Sequence, residues 1–386
     1  MKFDVVVVGG GPAGSFLAWK LAEKGLKTAI VEEDPQIGNP SCCAGIVGIK
    51  GMKELGFGEG EWVISDLRGA EFYSPGGRVA RFATEPQAWV IDRPAFDREL
   101  AQTAVAAGAS LFLKTRCLRI LSLSPPRISV EGVVKGTLES EILVGADGPT
   151  SVVARALGTG VREFFYCAQV EIKQQSEEGI AKLWLGKEIA PGFFGWAVPV
   201  GGILRAGLGC TEGNPVGFLG RLVRGLGLNS KMLSRCVGLI PRNFVSKPGR
   251  GRVLLVGDAA GQVKPLTGGG IYLGLSCSKL AAEAIGRCFD GDRIPQAGSE
   301  YSARVAERFE PEIRHGMIAR ELFWRLNDSM LDEIVKLLSD EEVQKVIYEN
   351  FDFDHHSRLI KAILRKSPPL LGKLGASVVW KFLRLL

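Results

Sequence analysis

Apolar positions near the start of the chain form one uninterrupted block, the four valines at residues 5–8. A short continuous apolar run of this kind is typical of a strand that is buried on both faces in a parallel sheet. The glycine-rich run 9–14 follows without a break, a helix is expected over 15–24, and a second strand is expected over 26–31. The order of strand, glycines, helix and strand predicts a βαβ unit at the N-terminus.

The glycines of this first turn have separable roles. Gly9 allows a tight turn, Gly11 allows the backbone to approach a pyrophosphate, and Gly14 allows the helix to pack closely on the strand. Glu32 ends the second strand, where a carboxylate can accept hydrogen bonds from both hydroxyls of an adenosine ribose. Because an acid there disfavours a 2′-phosphate, the pattern predicts FAD or NAD rather than NADP.

A second glycine-rich turn lies far along the chain. Residues 251–255 form a buried apolar run, which Gly257 and Asp258 follow. Residues 264–270 then read KPLTGGG and open a helix that is expected to continue through 281–288. The N-terminus of that helix can offer N–H groups to a developing anion, such as the N1/O2 edge of a reduced flavin. Asp258 can bind the hydroxyls of a ribityl chain, which nicotinamide dinucleotides lack, so this turn favours FAD over NAD.

The middle of the chain changes to the two-residue period of half-buried strands. Apolar and polar residues alternate over 61–90, with a turn expected at 74–77. A helix over 93–108 returns the chain to the first domain. Residues 164–248 are strand-rich again, around one helix near 216–226. The two strand-rich segments together predict one antiparallel sheet that covers the substrate.

These patterns predict an α/β protein built from discontinuous domains. A Rossmann-like FAD-binding domain is joined to an antiparallel-sheet substrate domain, and a helical region follows at the C-terminus. The expected boundaries are 1–60, 91–163 and 249–290 for the FAD-binding domain, 61–90 and 164–248 for the substrate domain, and 291–386 for the helical region.

Composition narrows the class of protein. The chain has 386 residues, 46% of them hydrophobic and 23% charged, which is enough for a sizeable core and two domains. Eight cysteines are scattered without a CxxC pair and there are three histidines, so neither a metal site nor a disulfide framework is expected. This usage fits a reducing compartment, and neither a signal peptide nor an apolar run of roughly 18 residues is visible. A cytoplasmic protein is expected.

Basic residues are concentrated at the C-terminus. Seven of the 48 Lys and Arg residues and none of the 42 acidic residues lie in 355–386. The rest of the chain is close to neutral, which argues against a nucleic-acid partner. Lys373, Lys381 and Arg384 recur at helical spacing among apolar residues, a pattern that suits peripheral contact with an anionic membrane at its inner face. The alternative is a helical lid on the body of the protein, with a basic stripe that is only solvated.

Two segments leave their roles open. The loop 39–48 is rich in small residues, and its adjacent Cys42 and Cys43 could bond to each other only with strain. This loop either packs tightly on the cofactor or turns Cys43 toward the flavin or the substrate. Arg93 either reaches the cofactor or forms an ion pair with Asp97.

Three motifs, in sequence order, resemble those of the p-hydroxybenzoate hydroxylase superfamily of FAD proteins over residues 1–290. They are the first glycine turn with Glu32, the Asp147-Gly148 pair with Ser151 and Arg155, and Gly257-Asp258 with Pro265. Three motifs together support FAD far more strongly than one glycine turn does.

Within that superfamily the chain is similar to the geranylgeranyl reductase family. Cys43-Ala44-Gly45 matches that family's cysteine loop, and residues 265–270 match its second glycine turn. Residues 191–199 (PGFFGWAVP) resemble its substrate motif, P-x-x-Y-x-W-x-F-P. Phe194 replaces the tyrosine and Val198 the second aromatic residue, and these departures bear on the role of a tyrosyl hydroxyl and on the head group of the substrate.

The resemblance implies a set of site residues. Cys43 is the expected catalytic residue. The expected substrate contacts are Pro191, Phe194, Trp196 and Pro199, which would line a tunnel for a polyprenyl chain, although aromatic residues of a strand are often plain core. The implied FAD contacts are Gly9, Gly11, Pro12, Ala13, Gly14, Glu32, Glu33, Cys43, Ala44, Gly45, Arg93, Cys117, Asp147, Gly148, Gly257, Asp258, Pro265, Gly268, Gly269, Gly270 and Ile271.

The function that the resemblance implies is an FAD-dependent reductase. It would saturate C=C bonds of geranylgeranyl chains, on a prenyl ether lipid or a diphosphate, by hydride transfer from reduced flavin. Ferredoxin, a deazaflavin and NAD(P)H all remain open as electron donors, because no second dinucleotide motif is present. One alternative is an FAD monooxygenase that uses NAD(P)H and oxygen on an aromatic or lipophilic substrate. Another is a flavin-bearing lipid-binding or electron-relay protein without catalytic activity.

Overall fold

The computed structural model describes residues 1–227 and 231–366. The strands are β1 Lys2–Val8, β2 Thr28–Val31, β3 Ile46–Gly48, β4 Val63–Tyr73, β5 Val79–Ile91, β6 Ser110–Phe112, β7 Thr115–Leu123, β8 Pro126–Gly132, β9 Gly136–Gly145, β10 Phe164–Ile172, β11 Ile180–Trp184, β12 Gly195–Val200, β13 Ile203–Cys210, β14 Met232–Pro241, β15 Gly249–Arg250 and β16 Val253–Leu255. The helices are α1 Pro12–Ala22, α2 Ile49–Glu54, α3 Arg93–Ala106, α4 Val152–Ala156, α5 Pro215–Gly225, α6 Ile271–Asp290, α7 Ala297–Trp324, α8 Asp328–Leu338, α9 Glu341–Asn350 and α10 His356–Lys366.

The chain divides into two compact units, each made of three segments. The first unit comprises 1–41, 92–164 and 240–310, and the second comprises 42–91, 165–239 and 311–386. The chain leaves and re-enters the first unit close to the positions expected from sequence at 91 and 164.

Three boundaries differ from the expected ones. The segment 42–60 belongs to the second unit, because β3 pairs antiparallel with β5. Residues 240–248 belong to the first unit, where the Val245 N–H donates to the carbonyl of Ala260. The C-terminal helices do not form a unit of their own, since α7 is divided next to Pro311. A proline inside a helix cannot donate its backbone hydrogen bond, which makes this a natural place for the division.

The first unit is built on a sheet with a parallel core. Its strand order is β15-β16-β9-β1-β2-β6, and β7 and β8 extend it next to β9. β1 lies between β9 and β2 and is parallel to both, so the valines at 5–8 are almost completely buried. This burial on both faces explains the uninterrupted apolar run, because neither face of β1 meets water.

The second unit contains a mostly antiparallel sheet. Its strand order is β14-β10-β13-β12-β11-β4-β5-β3. β11 and β4 pair in parallel, whereas the pairs β10–β13, β13–β12, β12–β11, β4–β5 and β5–β3 are antiparallel. The β4–β5 hairpin pairs Tyr73 with Val79, which confirms the turn expected at 74–77. The helix near 216–226 is also confirmed as α5, whose buried Leu219 and Leu222 join the core cluster that β10 and β13 provide.

The later helices of the second unit cover this sheet with amphipathic faces. Leu331 and Val335 of α8 are buried in one cluster with Ala80 of β5 and with Leu185. The Asn327 side chain caps α8 by accepting a hydrogen bond from the Met330 N–H. Among the described residues, no helix combines the length and the apolar composition that a membrane crossing requires. The α/β class, with a Rossmann-like unit and a largely antiparallel second sheet, is therefore confirmed.

Candidate functional site

The first glycine turn in the first unit has two glycines at which a side chain would clash with backbone atoms. Gly9 has a φ of +102°, and a Cβ there would lie 2.3 Å from the carbonyl oxygen of Ala146. A Cβ on Gly14 would lie 2.1 Å from the carbonyl oxygen of Gly9. Gly11 differs, because a Cβ there would meet no atom within 4 Å. Gly11 is therefore the point of this turn that stands open to a ligand, as a pyrophosphate-binding glycine requires.

The helix after this turn begins earlier than the sequence pattern predicts. α1 starts at Pro12 and ends at Ala22, whereas a helix over 15–24 was expected. Proline is favoured at the first helical position because its missing N–H is not needed there. As a result, Gly14 lies in the first turn of the helix, and the free N–H groups of that turn lie at the glycine loop.

Glu32 is held by the backbone on both oxygens. Its Oε2 accepts the Gly10 N–H at 2.7 Å and its Oε1 accepts the Asp34 N–H at 2.8 Å. Burial raises the pKa of Glu32, and these two hydrogen bonds oppose that rise. Each carboxylate oxygen keeps a lone pair, so the fixed side chain can still accept ribose hydroxyls. The neighbouring Glu33 points elsewhere and pairs with Arg116 in an exposed ion pair at 3.1 Å.

Small residues bring three distant parts of the first unit together. A Cβ on Gly257, whose φ is +64°, would lie 3.0 Å from the Cβ of Ala13 in α1. A Cβ on Gly274 of α6 would lie 3.4 Å from the Cα of Gly257 and 3.6 Å from the Cβ of Ala13. The Ser278 hydroxyl of α6 also donates to the Ala13 carbonyl at 2.9 Å. The N-terminal turns of α1 and α6 therefore converge on the Gly257-Asp258 turn.

Asp258 is the clearest sign of a ligand in this unit. Loss of hydration raises the pKa of its carboxyl from 3.8 to about 6, and the positive charge of Arg93 acts in the opposite direction. No described residue donates a hydrogen bond to this carboxylate. A desolvated acid without a protein donor needs donors from elsewhere. The hydroxyls of a ribityl chain meet that need, so the residues present fit FAD.

A buried hydrogen-bond network that sequence reasoning missed supports the Gly257 turn. The Gln262 Oε1 accepts the Gly257 N–H at 2.7 Å, and the Gln262 Nε2 donates to the Tyr301 hydroxyl at 2.7 Å. That hydroxyl in turn donates to the Leu255 carbonyl at 3.0 Å. Gln262 follows the Gly-Asp pair by four positions, so a glutamine in an otherwise apolar segment was the available signal.

The second glycine turn closes on itself ahead of α6. The Lys264 N–H donates to the Gly269 carbonyl at 2.9 Å, and the Gly268 N–H donates to the Lys264 carbonyl at 2.8 Å. Pro265 lies inside this closed turn, Gly270 is the N-cap of α6 and Ile271 is its first residue. The turn thus places the N-terminus of α6, a helix of 20 residues, beside the side chain of Asp258.

The Asp147 motif has a structural role of its own. Asp147 accepts hydrogen bonds from the Ser151 hydroxyl at 2.5 Å and the Val152 N–H at 2.7 Å, and the Ser151 side chain caps α4. Gly148 has a φ of +74°, and a Cβ there would meet open space. Cys117 is buried in the same unit, and desolvation raises the pKa of its thiol to about 12, with a smaller contribution from Asp147. A contact of these residues with FAD stays a prediction.

Arg93 forms the ion pair with Asp97 that was one of its two expected roles. Its Nε and Nη2 both bind the carboxylate at 3.1 Å, and both side chains are largely shielded from solvent. The pair is therefore not a surface feature. The positive charge of Arg93 also lowers the pKa of Asp258, so the ion pair with Asp97 holds the guanidinium within electrostatic reach of the Asp258 carboxylate.

In the second unit, one proline of the substrate motif, Pro191, precedes β12, and the other, Pro199, lies within it. The Pro191 carbonyl accepts the Thr211 N–H at 2.9 Å. Pro199 is paired with Leu204 of β13, and the registered pairs with β11 stop at Ala197. Because Pro199 has no N–H to donate, it is tolerated beyond the end of the β11 ladder.

The aromatic residues of the motif are divided between core and partly exposed positions. Phe193 is buried and stacks on Phe165 and Phe194 at centroid distances of 4.2 and 4.1 Å. Phe194 and Trp196 are only half-buried and meet edge to face at 6.2 Å. Trp196 packs on the cluster that contains Val198 of the same strand. The core interpretation therefore holds for Phe193, while a substrate role of Phe194 and Trp196 stays a prediction.

The cysteine loop is held by its backbone. The Cys43 carbonyl accepts the Gln169 Nε2 at 3.0 Å, the Ala44 carbonyl accepts the Arg205 Nη1 at 3.3 Å, and the Gly45 carbonyl accepts the Ile91 N–H at 2.7 Å. Three consecutive carbonyls are thus fixed to strands of the second unit. The Cys43 Sγ accepts the Gly45 N–H at 3.3 Å. Sequence reasoning missed Gln169 and Arg205, which lie in β10 and β13.

Cys42 forms a disulfide bond with Cys236 of β14. This single bond was not foreseen when no disulfide framework was expected, and it weakens the argument from cysteine usage for a reducing compartment, although six cysteines are free. The two residues are 194 positions apart, so only the fold brings them together. All eight cysteines lie in the described residues, and Cys43 is the one free cysteine that is not buried.

The tail segment with Lys373, Lys381 and Arg384 lies outside the described residues. Among the residues that are described, no cluster of His, Cys, Asp and Glu has the arrangement of a metal site.

Comparison with known proteins agrees with this geometry. Residues 4–53 match the family model of FAD dependent oxidoreductases. The chain is 30% identical to digeranylgeranylglycerophospholipid reductase of Methanothrix thermoacetophila over 97% of this chain and 99% of that protein. It is 31% identical to the protein of the same name from Methanosarcina acetivorans, over 96% of this chain and 95% of that one.

One solved structure shares the fold over the whole length. It is a geranylgeranyl bacteriochlorophyll reductase-like protein of Thermoplasma acidophilum, with a TM-score of 0.87 and 24% identity, and the match covers 100% of this chain and 99% of that chain. At 24% identity this likeness supports the fold alone. The evidence for FAD as the cofactor is the family model together with the full-length relatives.

The glycines of the first turn give a paired test. Gly11→Ala is expected to leave the stability of the flavin-free protein unchanged and to weaken FAD binding about tenfold or more, because the new methyl group meets only the ligand. Gly14→Ala is expected to cost about 1–3 kcal/mol of folding stability, because the methyl group meets backbone. Thermal unfolding and a flavin-fluorescence titration measure the two effects. Wild-type FAD affinity in Gly11→Ala would contradict the role assigned to Gly11.

The raised pKa of Asp258 predicts a pH-dependent stability. The folded flavin-free protein binds this proton more tightly than the unfolded chain does, so the ionised group costs stability above about pH 6 and nothing below about pH 4. Asp258→Asn is expected to raise the free energy of unfolding by about 2–3 kcal/mol at pH 7.5. The gain should shrink toward zero as the pH falls through 6 to 4. Urea unfolding of both proteins at several pH values checks this, and a gain independent of pH would refute it.

Proposed function

The chain belongs to the digeranylgeranylglycerophospholipid reductase family of FAD-dependent oxidoreductases, and from this premise we propose that it saturates the C=C bonds of geranylgeranyl chains on a prenyl glycerolipid. The observation that carries the proposal is the likeness to two such reductases over nearly the whole of both chains. A match of the FAD-binding half alone would fit many flavin enzymes, whereas this one includes the second unit, where the substrate motif lies.

Reduction of an isolated C=C bond sets three demands on the protein. The bond takes up two electrons and two protons, and FAD, when bound in its reduced form, supplies the electron pair. The polypeptide has to bind an apolar chain, exclude water from it and place a proton donor beside it. The half-buried Phe194, just before β12, and Trp196, within it, supply apolar surface for the first two tasks.

Cys43 is our candidate for the proton donor. It is the free thiol that is not buried, whereas burial raises the pKa of the Cys117 and Cys167 thiols to about 12 and also raises the pKa of the Cys277 thiol. The Gly45 N–H, which donates to the Cys43 sulfur, would stabilise the thiolate that remains after proton donation. Phe194 stands where the family's motif has a tyrosine. Because it has no hydroxyl, it cannot supply the proton that such a tyrosine could supply.

The sequence has no second dinucleotide motif that would bind an electron donor permanently. The electrons therefore have to reach FAD from a separate donor. Reduced ferredoxin, a deazaflavin or transiently bound NAD(P)H each fit this requirement. The rate at which each one reduces the anaerobic holoprotein distinguishes them, and a donor that leaves the flavin oxidised is ruled out.

A lipid substrate also calls for access to a membrane, and the basic C-terminal segment suits this role. The full-length protein is expected to sediment with anionic vesicles and to be released by salt, because Lys373, Lys381 and Arg384 would interact with lipid phosphates. Removal of residues 367–386 should abolish this binding while flavin content stays unchanged. Neutral vesicles serve as the control. Equal binding of the truncated and full-length proteins to anionic vesicles would overturn the membrane role.

The reaction itself is tested with dithionite-reduced holoprotein and a digeranylgeranyl glycerophospholipid under anaerobic conditions. The reductase is expected to reoxidise its flavin and to increase the mass of the lipid in steps of two hydrogens. Cys43→Ala should slow these steps about 10²-fold or more, the usual contribution of a general acid. Cys288→Ala, which removes a buried thiol of α6, is the matched control and should keep the wild-type rate.

Other outcomes of this experiment support other functions. Lipid binding without a gain in mass would indicate a lipid-binding or electron-relay protein. An oxygenated product in air, with NAD(P)H oxidation that substrate stimulates, would indicate a monooxygenase. Full turnover in Cys43→Ala would remove Cys43 from the mechanism but leave the reductase assignment in place.

A further inference from the structure

Three residues on neighbouring strands of the second unit lie on one rung of the sheet. Gln169 of β10 is paired with Gly207 of β13, and Gly207 is paired with Trp196 of β12. Residues that are directly paired across strands point to the same face of a sheet. The side chains of Gln169 and Trp196 therefore lie on one face, and the residue between them has no side chain.

The missing side chain at Gly207 is what allows the outer two residues to meet. A Cβ at Gly207 would lie 2.5 Å from ring atoms of Trp196, so the indole occupies the space above β13. From there the indole N–H of Trp196 donates to the Oε1 of Gln169 at 3.2 Å. Any larger residue at 207 would displace the indole and break this contact.

The other end of the Gln169 amide binds the cysteine loop. Its Nε2 donates to the Cys43 carbonyl at 3.0 Å, and the Gln169 side chain is 5% exposed. The orientation of the amide follows from its partners, because an indole N–H can only donate and a carbonyl can only accept. The amide oxygen must therefore face Trp196 and the amide nitrogen must face Cys43.

Two positions further along β10, Glu171 is paired with Arg205 of β13. This pair also binds the backbone of the cysteine loop, but it does not involve Trp196. Arg205 of β13 binds Glu171 of β10 at 2.8 Å and donates to the carbonyls of Ala44 and Ile91. Arg205 thus anchors the loop to the sheet through a charged pair. Gln169 is different, because it links the loop to the side chain of the residue that lies in the substrate motif.

We propose that Gln169 is a positioning residue that couples the indole of Trp196 to the backbone of Cys43. A prenyl chain that presses on the indole would act through the amide on the main chain that carries the thiol. The catalytic part of this inference rests on the proposed function, whereas the coupling of the two residues is a property of the protein itself.

Glutamine suits this position better than similar residues do. Methionine has nearly the same shape but offers neither a donor nor a strong acceptor. Glutamate would still accept from Trp196, but as a carboxylate it would repel the Cys43 carbonyl. Asparagine is one methylene shorter and could not reach both partners. These differences provide variants that break one contact or both.

The test is the rate at which iodoacetamide alkylates Cys43 in the flavin-loaded protein without substrate, measured by mass spectrometry of the Cys43 peptide. Gln169→Met is expected to change this rate about fivefold, the factor that one lost buried hydrogen bond corresponds to. Gln169→Glu should act similarly, since it loses the contact to Cys43. Gln102→Leu, an exposed glutamine of α3, is the matched control and should keep the wild-type rate.

A double-mutant cycle separates coupling from general loosening of the fold. Trp196→Phe should change the alkylation rate as Gln169→Met does, and the double variant should show little further change, because both residues act through one amide. Effects that multiply in the double variant would overturn the proposal, and so would wild-type alkylation rates in all three variants. If Gln169→Met does not fold, Trp196→Phe and Gln169→Glu still decide the question.

Turnover supplies the second readout. With the prenyl lipid, Gln169→Met should lower kcat about tenfold while KM changes less than twofold, because the thiol is displaced and the apolar contacts remain. A rise in KM alone would assign Gln169 to substrate binding and refute the positioning role. If the wild-type protein reduces no prenyl lipid, the proposed function fails, and the alkylation rates still decide the coupling.

Discussion

Space left by absent side chains is the constraint on which both units depend. A methyl group on Gly14 would lie 2.1 Å from a backbone oxygen of the first turn, and one on Gly257 would lie 3.0 Å from the Cβ of Ala13. In the second unit a methyl group on Gly207 would lie 2.5 Å from the ring of Trp196. The group that fills the space is a carbonyl of the glycine turn at Gly14, a side chain of α1 at Gly257 and an indole at Gly207. Substitution at these positions therefore has to displace closely packed groups.

The FAD-binding part could be predicted from sequence because its information is local. The strand, the glycines and Glu32 lie within one short segment, and each residue type has one physical reason for its position. Even there the start of α1 was misplaced, because Pro12 looks like a helix breaker but is favoured in the first helical turn. The predicted domain boundary at 60 also differed, since nothing near 42–60 reveals that β3 pairs with β5.

The parts that sequence did not reveal depend on the register of distant strands. Gln169 meets Trp196 only because β10, β13 and β12 align two particular residues with a glycine between them. Cys236 meets Cys42 across 194 positions for the same kind of reason. A polar residue in an apolar strand was the one available signal for Gln169, and it does not say which partner the residue has. Register is decided by whole strands, so a single sequence leaves it open.

The cysteine loop joins a fixed backbone to a side chain with few constraints. The carbonyls of Cys43, Ala44 and Gly45 are bound, while the Cys43 sulfur accepts a hydrogen bond from the Gly45 N–H. Such an arrangement fixes the Cα of Cys43 and leaves rotation about χ1 as the movement that brings the thiol to an acceptor. A proton donor needs this combination, because it must be positioned accurately before the transfer and must still reach the reacting atom. Because Phe194 lacks a hydroxyl, this combination is why we propose the cysteine loop as the source of the proton.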